Sequence, residues 1–270
     1  MVRYFAELIR YRDLLFWLTV KEIKVRYKSP VLGLLWSLLV PLVISGILFV
    51  VFTYMFPTPN LPVPFFLFLI VAMFPWNFFS SCVACAPMSV LEAGQLIKKS
   101  RFPRALIPLS IVAANVVNFI FSLIVVLVIL TIMRLPLSGW VWVLPIIIGV
   151  EILLTVGIVL LVASLQVQFR DVKYLTEIGL LLWFYLTPIF YPLDAISHSP
   201  FLIRAVYLLN PFVYVVELFR AALLGGLAER MLVPPLLSLG IAIVSSVGIC
   251  LLGVTVFRRL EPKFADQVMG

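Results

Sequence analysis

The chain has 270 residues, 64% of them hydrophobic and only 12% charged, and a net charge of +8. A soluble domain carries about 25% charged residues, so this composition excludes one and points to an integral membrane protein. The excess of Lys and Arg does not signal nucleic acid, because the basic residues sit at the ends of apolar runs instead of forming one patch with interleaved aromatics.

The chain changes character at Pro30. Seven Lys or Arg precede it, among them Arg12, Lys21, Lys24, Arg26 and Lys28, and no charge follows until Glu92. Moving Lys or Arg through hydrocarbon costs about 2.5–3.5 kcal/mol each, so the basic end is expected on the cytoplasmic face. Residues 3 to 28 carry two helical stripes, Leu8, Tyr11, Leu15 and Leu18, then Val20, Ile23 and Tyr27 at a shifted phase. The shift favours two short interfacial pieces over one helix, with Phe16, Trp17 and Leu18 dipping into the acyl boundary. Two roles stay open for this segment: an anchor for the first span, or a docking surface for a partner. The apolar run after Pro30 is longer than a signal-peptide core of about 7–15 residues and lacks an Ala-x-Ala site, so it is expected to stay in the protein.

A bilayer core of about 30 Å takes about 20 helical residues. Runs of that kind are Leu32–Phe56, Val63–Leu91, Leu106–Met133, Trp140–Val167, Leu175–Tyr191, the shortest, and Leu232–Phe257. The expected fold is therefore an all-α integral membrane protein with six transmembrane helices in one domain, residues 1–270. An amphipathic interfacial segment (1–30) leads, spans one to five occupy 31–191, span six 232–257, and a tail 258–270. Charge supports this order, with seven Lys or Arg before Pro30, four between Glu92 and Arg104, Arg170 and Lys173, and three from Arg258 onward all on the inner side. Arg134, Arg204, Arg220 and Arg230 remain outside, which puts both termini in the cytoplasm.

Between Pro192 and Met231, two apolar pieces, Phe201–Leu209 and Phe212–Leu227, flank Asn210-Pro211. The first is too short to span, and the second holds Glu217 and Arg220, which would face lipid. Two short helices that dip into the outer leaflet and return are expected, tolerated where backbone is buried in protein or lines a watery cavity. Glu217 and Arg220 are spaced to pair on one helix face. An ordinary extracytoplasmic loop is the alternative.

Chemistry-bearing motifs are few. No Gly-Lys dipeptide exists, hence no G-x-x-x-x-G-K-[ST] loop for ATP phosphates. The single His198 lies outside any H-E-x-x-H pattern and reads as a solvated loop residue. Cys82 and Cys85 are spaced C-x-x-C inside an apolar run, and with Cys250 they read as small packing residues; no metal site is expected. Glu151 falls mid-run, where an intramembrane carboxylate is either functional or hydrogen-bonded glue between helices. Tyr54, Trp76, Phe78, Phe79, Trp183, Phe184, Tyr185, Phe190 and Tyr191 concentrate toward the outer halves of spans. They form an interfacial belt, or some face a lumen where rings stack on sugar faces.

Taken together, an ordered series of motifs resembles the permease subunit of ABC exporters for polysaccharides and polyol phosphates, the group that moves O-antigen, capsule and wall teichoic acid polymers. Arg26-Tyr27-Lys28-Ser29 with Leu32-Gly33 and Trp36 through Pro41 is similar to that family's entry into its first span. Pro75-Trp76 with Phe79-Ser80 follows, and Leu96-Ile97-Lys98-Lys99 with Phe102-Pro103-Arg104 and Pro108 resembles its coupling segment. Phe169-Arg170-Asp171, Thr187-Pro188-Ile189-Phe190-Tyr191-Pro192, and Asn210-Pro211 with Glu217 and Arg220 complete the series. One departure is Gly94-Gln95, where the family carries Asn with a small or apolar neighbour.

The resemblance implies a homodimer joined by two separate ATPase subunits, which hold the ATP and Mg that this chain lacks. It implies a channel at the dimer interface for a lipid-linked glycan or polyol phosphate polymer, in a bacterial cytoplasmic membrane. Channel candidates are Tyr54, Trp76, Phe79, Glu151, Trp183, Tyr185 and Tyr191; coupling candidates are Glu92, Lys98, Lys99, Arg101 and Arg104. Arg170, Asp171, Glu217 and Arg220 are further functional candidates. Two other readings are a permease of the same type for drugs or lipids, and a membrane enzyme acting on polyprenyl-linked sugars. The enzyme reading lacks clustered acid, base or metal residues.

Overall fold

A computed structural model describes residues 8–26, 30–55, 61–99, 102–135, 138–197 and 199–264. Among these the backbone forms helices and turns and no strand, as hydrocarbon requires of a chain that must satisfy its own backbone polar groups. In order the helices are α1 Arg12–Arg26, α2 Pro30–Tyr54, α3 Phe65–Glu92, α4 Gly94–Lys99, α5 Leu106–Ile132, α6 Leu144–Gln168, α7 Val172–Tyr185, α8 Phe201–Leu209, α9 Pro211–Leu223 and α10 Pro235–Leu260. Among the described residues four are long and apolar enough to cross a membrane, α3, α5, α10, and α6 together with the 3-10 turn Gly139–Val143 that leads into it, and Leu38–Tyr54 of α2 is a shorter apolar helix. The pair α8–α9, bent by 75°, makes a fifth if read as one span.

Two expectations change. Leu15, Leu18, Val20 and Ile23 lie on one helix, α1, so the backbone does not break where the stripes change phase; helical residues 8–10 precede it across a turn at Tyr11, and Tyr27 lies outside the described residues. No Gly or Pro interrupts Arg12–Arg26, so a phase shift in hydrophobicity alone does not break it. Leu18 is buried, and α1 packs on α5. The run Leu175–Tyr191 is helical only as far as Tyr185, giving α7 14 residues, about 21 Å at 1.5 Å per residue and short of the core thickness. Pro188 has no N–H to donate and its ring disfavours helical geometry at Thr187, so the ladder ends with Leu186 N donating to Leu182 O at 3.0 Å. The bent pair falls where two short helices are expected: α8 has the expected bounds, whereas α9 covers Pro211–Leu223 in place of Phe212–Leu227 and ends before a turn through Gly226 at φ 81°.

The core is built on α3 and α9. Every residue of α3 from Leu67 to Trp76 is buried, and so is every residue of α9 from Phe212 to Leu223. Helix α9 is enclosed by α3, α6, α10 and the turn Gly139–Val143. That enclosure answers the problem Glu217 and Arg220 pose: protein, not lipid, surrounds them.

The tightest helix pair is α6 with α10. Arg104, just ahead of α5, bonds Glu261 just beyond α10, and α6 starts a short loop after α5 ends, so α6 and α10 run in the same direction. Ser238, Ala242, Ser246 and Cys250, four residues apart on α10, are all buried, the small-residue seam that lets membrane helices approach closely. At Gly157 and Gly253 the backbones touch. A Cβ on Gly157 would lie 2.7 Å from Cys250 Cα, and one on Gly253 would lie 2.9 Å from the carbonyl carbon of Gly157.

Candidate functional site

Leaving the helix at Leu186 exposes carbonyls that need donors, since a buried backbone group without a partner costs about 1–3 kcal/mol. The donors come from α8, α9 and the residue between them. Asn210 Nδ2 donates to Leu186 O at 3.0 Å and to Thr187 Oγ1 at 3.1 Å. Arg220 Nη1 donates to Pro188 O at 2.7 Å and Nη2 to Ile189 O at 2.6 Å. Tyr207 and Tyr191 share a hydrogen bond of 2.6 Å, and both reach Tyr185 O. The broken segment therefore hangs from the bent pair α8–α9 by side chains.

Asn210 is the joint of this assembly. Its Oδ1 accepts from Phe212 N at 3.0 Å, capping α9, and from Trp183 Nε1 at 2.7 Å. Pro211 at the first helical position completes a sequence-legible start signal. An Asn210→Ala variant should lose about 1–2 kcal/mol from the cap alone. Asn210→Asp keeps both accepting contacts and loses the two donated ones. Thermal midpoints of the purified chain should fall in the order wild type, Asp, Ala; an alanine variant melting with wild type would remove Asn210 from this role.

Arg220 is 2% exposed. Its Nη1 also donates to Glu217 Oε1 at 3.0 Å, and its Cζ lies 3.5 Å from the centroid of the Phe68 ring. One guanidinium thus meets a carboxylate, two carbonyls and a ring face, a combination suited to its planar fork of donors. The spacing of Glu217 and Arg220 announces the pair; the two carbonyls and Phe68, far off in sequence, give no local signal. Tyr207 and the bond from Trp183 to Asn210 were likewise invisible.

The aromatic candidates divide by environment. Trp76 and Phe79 are buried, packed with Phe212 at centroid distances of 5.4 and 4.8 Å, and Trp76 also meets Phe184 while Phe79 meets Trp183. Trp183 and Tyr191 are half-buried, whereas Tyr54 and Tyr185 are 81% and 57% exposed. Glu151, on α6, is 0% exposed and neither carboxylate oxygen has a hydrogen-bond partner. Among the described residues no three His, Cys, Asp or Glu side chains gather as a metal site.

At the opposite end of the bundle, Arg104 is fixed: its backbone N donates to Glu261 Oε1 at 2.8 Å and its Nη1 to Glu261 O at 2.6 Å. Phe264, fully buried, packs edge-on against Phe257 at 5.3 Å. The loop after α3 is therefore tied to the segment after α10, a contact across 157 positions that nothing local announces. Glu92 and Lys98 are exposed, and Lys99 ends α4. Arg170 and Asp171 are exposed in the turn between α6 and α7, held by Gln166 Nε2 donating to Arg170 O at 2.9 Å. Arg101, His198 and the motif residues Tyr27, Lys28 and Ser29 lie outside the described residues.

Comparison with known proteins matches residues 13–224 to the family model described as ABC-2 type transporter. Two relatives from Klebsiella pneumoniae, each named O-antigen export system permease protein RfbA, are 32% identical over 257 residues, 94% of this chain and 94% of each relative. A protein of the same name from Myxococcus xanthus is 33% identical over 227 residues, 82% of this chain and 84% of that one. The family match runs from the start of α1 to the residue after α9 and takes in both the loop Glu92–Arg104 and the bent pair α8–α9, so this chain belongs to the ABC-2 type transporter family.

Proposed function

We propose that this chain is the transmembrane permease of an ATP-driven exporter carrying a lipid-linked polysaccharide, or a teichoic-acid-type polyol phosphate polymer, outward across a bacterial inner membrane. The observation that carries the reading is near full-length similarity to proteins named as O-antigen export permeases. Energy has to come from elsewhere, because the sequence holds no phosphate-binding loop. Two copies of a separate ATPase, binding ATP and Mg, would supply it.

The topology we assign is six crossings, α2, α3, α5, α6, α7 with the segment to Tyr191, and α10, with both ends cytoplasmic. Its support is the distribution of Lys and Arg together with the Arg104–Glu261 bonds, which join the start of α5 and the end of α10 on one side. Membrane-impermeant labelling should reach both ends only from the cytoplasmic side. A homodimer is favoured by α7, which buries no residue in the single chain and leaves Leu175, Ile178, Leu182 and Tyr185 exposed along one face. Tyr54 and Tyr185 are the rings open to a lumen between two copies, while Trp76 and Phe79 hold the wall behind them.

The loop Glu92–Arg104 is the ATPase contact in this reading, with exposed Lys98 and neighbouring Lys99 as its charged points. The test isolates the tagged chain in mild detergent and asks whether a Walker-motif ATPase accompanies it in equal amount. Reversing both charges, Lys98→Glu with Lys99→Glu, should leave ATP hydrolysis running while export falls about tenfold or more, since like charges facing a complementary surface cost several kcal/mol. Unchanged export would remove this loop from the coupling path. Turnover of a polyprenyl-linked sugar by the chain alone would replace the permease reading with the enzyme one.

A further inference from the structure

The bonds of the re-entrant assembly leave a cavity of about 240 Å³ between α3, α9, and the segments that follow α7 and α9. It lies at the end of the bundle away from Arg104 and Glu261. Its polar wall consists of Asp194, Glu217, Arg220 and Arg230, and its apolar wall includes Leu227 and Met231. The polar wall is not saturated by the protein. Asp194 and Arg230 are exposed side chains on this wall. Glu217 uses only Oε1, to accept from Arg220, although the side chain borders the cavity.

The charges select the ligand. Two carboxylates against two guanidinium groups give no net attraction for an anion or a cation. What they offer together is acceptors and donors side by side, above an apolar surface. A neutral molecule bearing several hydroxyls on a carbon ring satisfies both, giving protons to Asp194 and Glu217, taking them at the Arg230 guanidinium, and laying C–H groups on Leu227 and Met231. The volume is equivalent to about eight waters at roughly 30 Å³ each and falls below the range of about 300–1,000 Å³ for drug-sized ligands. One pyranose ring fits; a chain of them does not.

We propose that this cavity is a monosaccharide subsite on the outer side of the permease, occupied by a single sugar unit of the exported polymer. The inference rests on the glycan reading of the cargo. It places recognition of individual sugar units at the re-entrant helices, beside the segment that Arg220 and Asn210 suspend, and apart from the exposed rings of Tyr54 and Tyr185.

The test uses the full chain in phospholipid nanodiscs free of glycolipid and of sugar-headed detergent. Saturation-transfer NMR is run with glucose, galactose, mannose, rhamnose and N-acetylglucosamine as probes, and with inorganic phosphate and phosphoethanolamine as competitors. At least one pyranose should receive saturation on its ring protons, with the competitors leaving the signal unchanged. Leu227→Trp fills the cavity from its apolar wall and should abolish the signal. Asp194→Asn, at an exposed position outside the Arg220 bonds, replaces one accepting oxygen by a donor and should weaken binding about tenfold without unfolding. No transfer to any of the sugars, an unaltered signal in a folded Leu227→Trp, an unaltered affinity in Asp194→Asn, or displacement by phosphate or phosphoethanolamine overturns the proposal. Polymer export by a chain that binds none of the sugars sinks the subsite alone. Sugar binding by a chain that exports no glycan leaves the subsite and sinks the cargo.

Discussion

Replacing Gly253 by leucine is expected to abolish the folded protein. The nearest atoms to a new Cβ there are the backbone O, C and Cα of Gly157, and at Gly157 they are Cys250 Cα and N and Ile249 C. None of these atoms can rotate aside as a side chain would. Relief requires α6 and α10 to separate along the seam of Ser238, Ala242, Ser246 and Cys250, and a membrane helix pair that has lost van der Waals packing has no hydrophobic force to restore it. Overpacking a core costs about 1–3 kcal/mol and occasionally more, and a rigid backbone contact belongs at or beyond the top of that range. Against a total stability of about 5–15 kcal/mol, yield and thermal midpoint should both collapse. Gly240 and Gly248, on the same helix with nothing within 4 Å of a new Cβ, are the controls: leucine at either should melt within a few degrees of wild type. A Gly253→Leu protein as stable as these controls would mean that α6 and α10 do not depend on packing through these glycines.

The second large effect is expected at Arg220. Arg220→Met removes the donor for Pro188 O and Ile189 O and leaves the Glu217 carboxylate enclosed without its counter-charge. Deleting one partner of a buried pair typically costs about 3–5 kcal/mol. Arg220→Lys should recover only part of this, because one ammonium cannot span a carboxylate and two carbonyls in the guanidinium's fork geometry. Pairing Arg220→Met with Glu217→Leu should melt higher than Arg220→Met alone, since it removes the stranded charge while still orphaning the two carbonyls. Export should fall in all three, because the segment from Leu186 to Pro192 loses its suspension even where the bundle survives. A double variant no more stable than the single would mean that the cost lies in the carbonyls; full export by Arg220→Met would separate this assembly from transport altogether.

Much of the site was legible because its signals are local. Asn before Pro marks a helix start, and the structure uses both residues as such. Glu and Arg three apart on one apolar helix have no reason to exist unless they pair, and they do so at 3.0 Å. Prolines at 188 and 192 mark where a helix cannot continue. The apolar run nonetheless obscured the stop, because hydropathy averages over backbone geometry: Leu175–Tyr191 reads as one span while its ladder ends at Leu186. The opposite error occurred in α1, where a shift in periodicity looked like a break though no residue in it opposes helix.

Composition and order of residues settled by themselves that this chain lives in a membrane and where most of its apolar helices lie. These properties follow from transfer free energies and backbone sterics, which act within a few residues. What joins the pieces was decided only in three dimensions: Arg220 reaching the carbonyls of 188 and 189, Arg104 clasping Glu261, Gly157 lying against Gly253, and Trp76 and Phe79 turned inward. Each depends on which helix faces which. In a chain apolar on every side, hydrophobicity does not specify that choice, and close packing with hydrogen-bond satisfaction does.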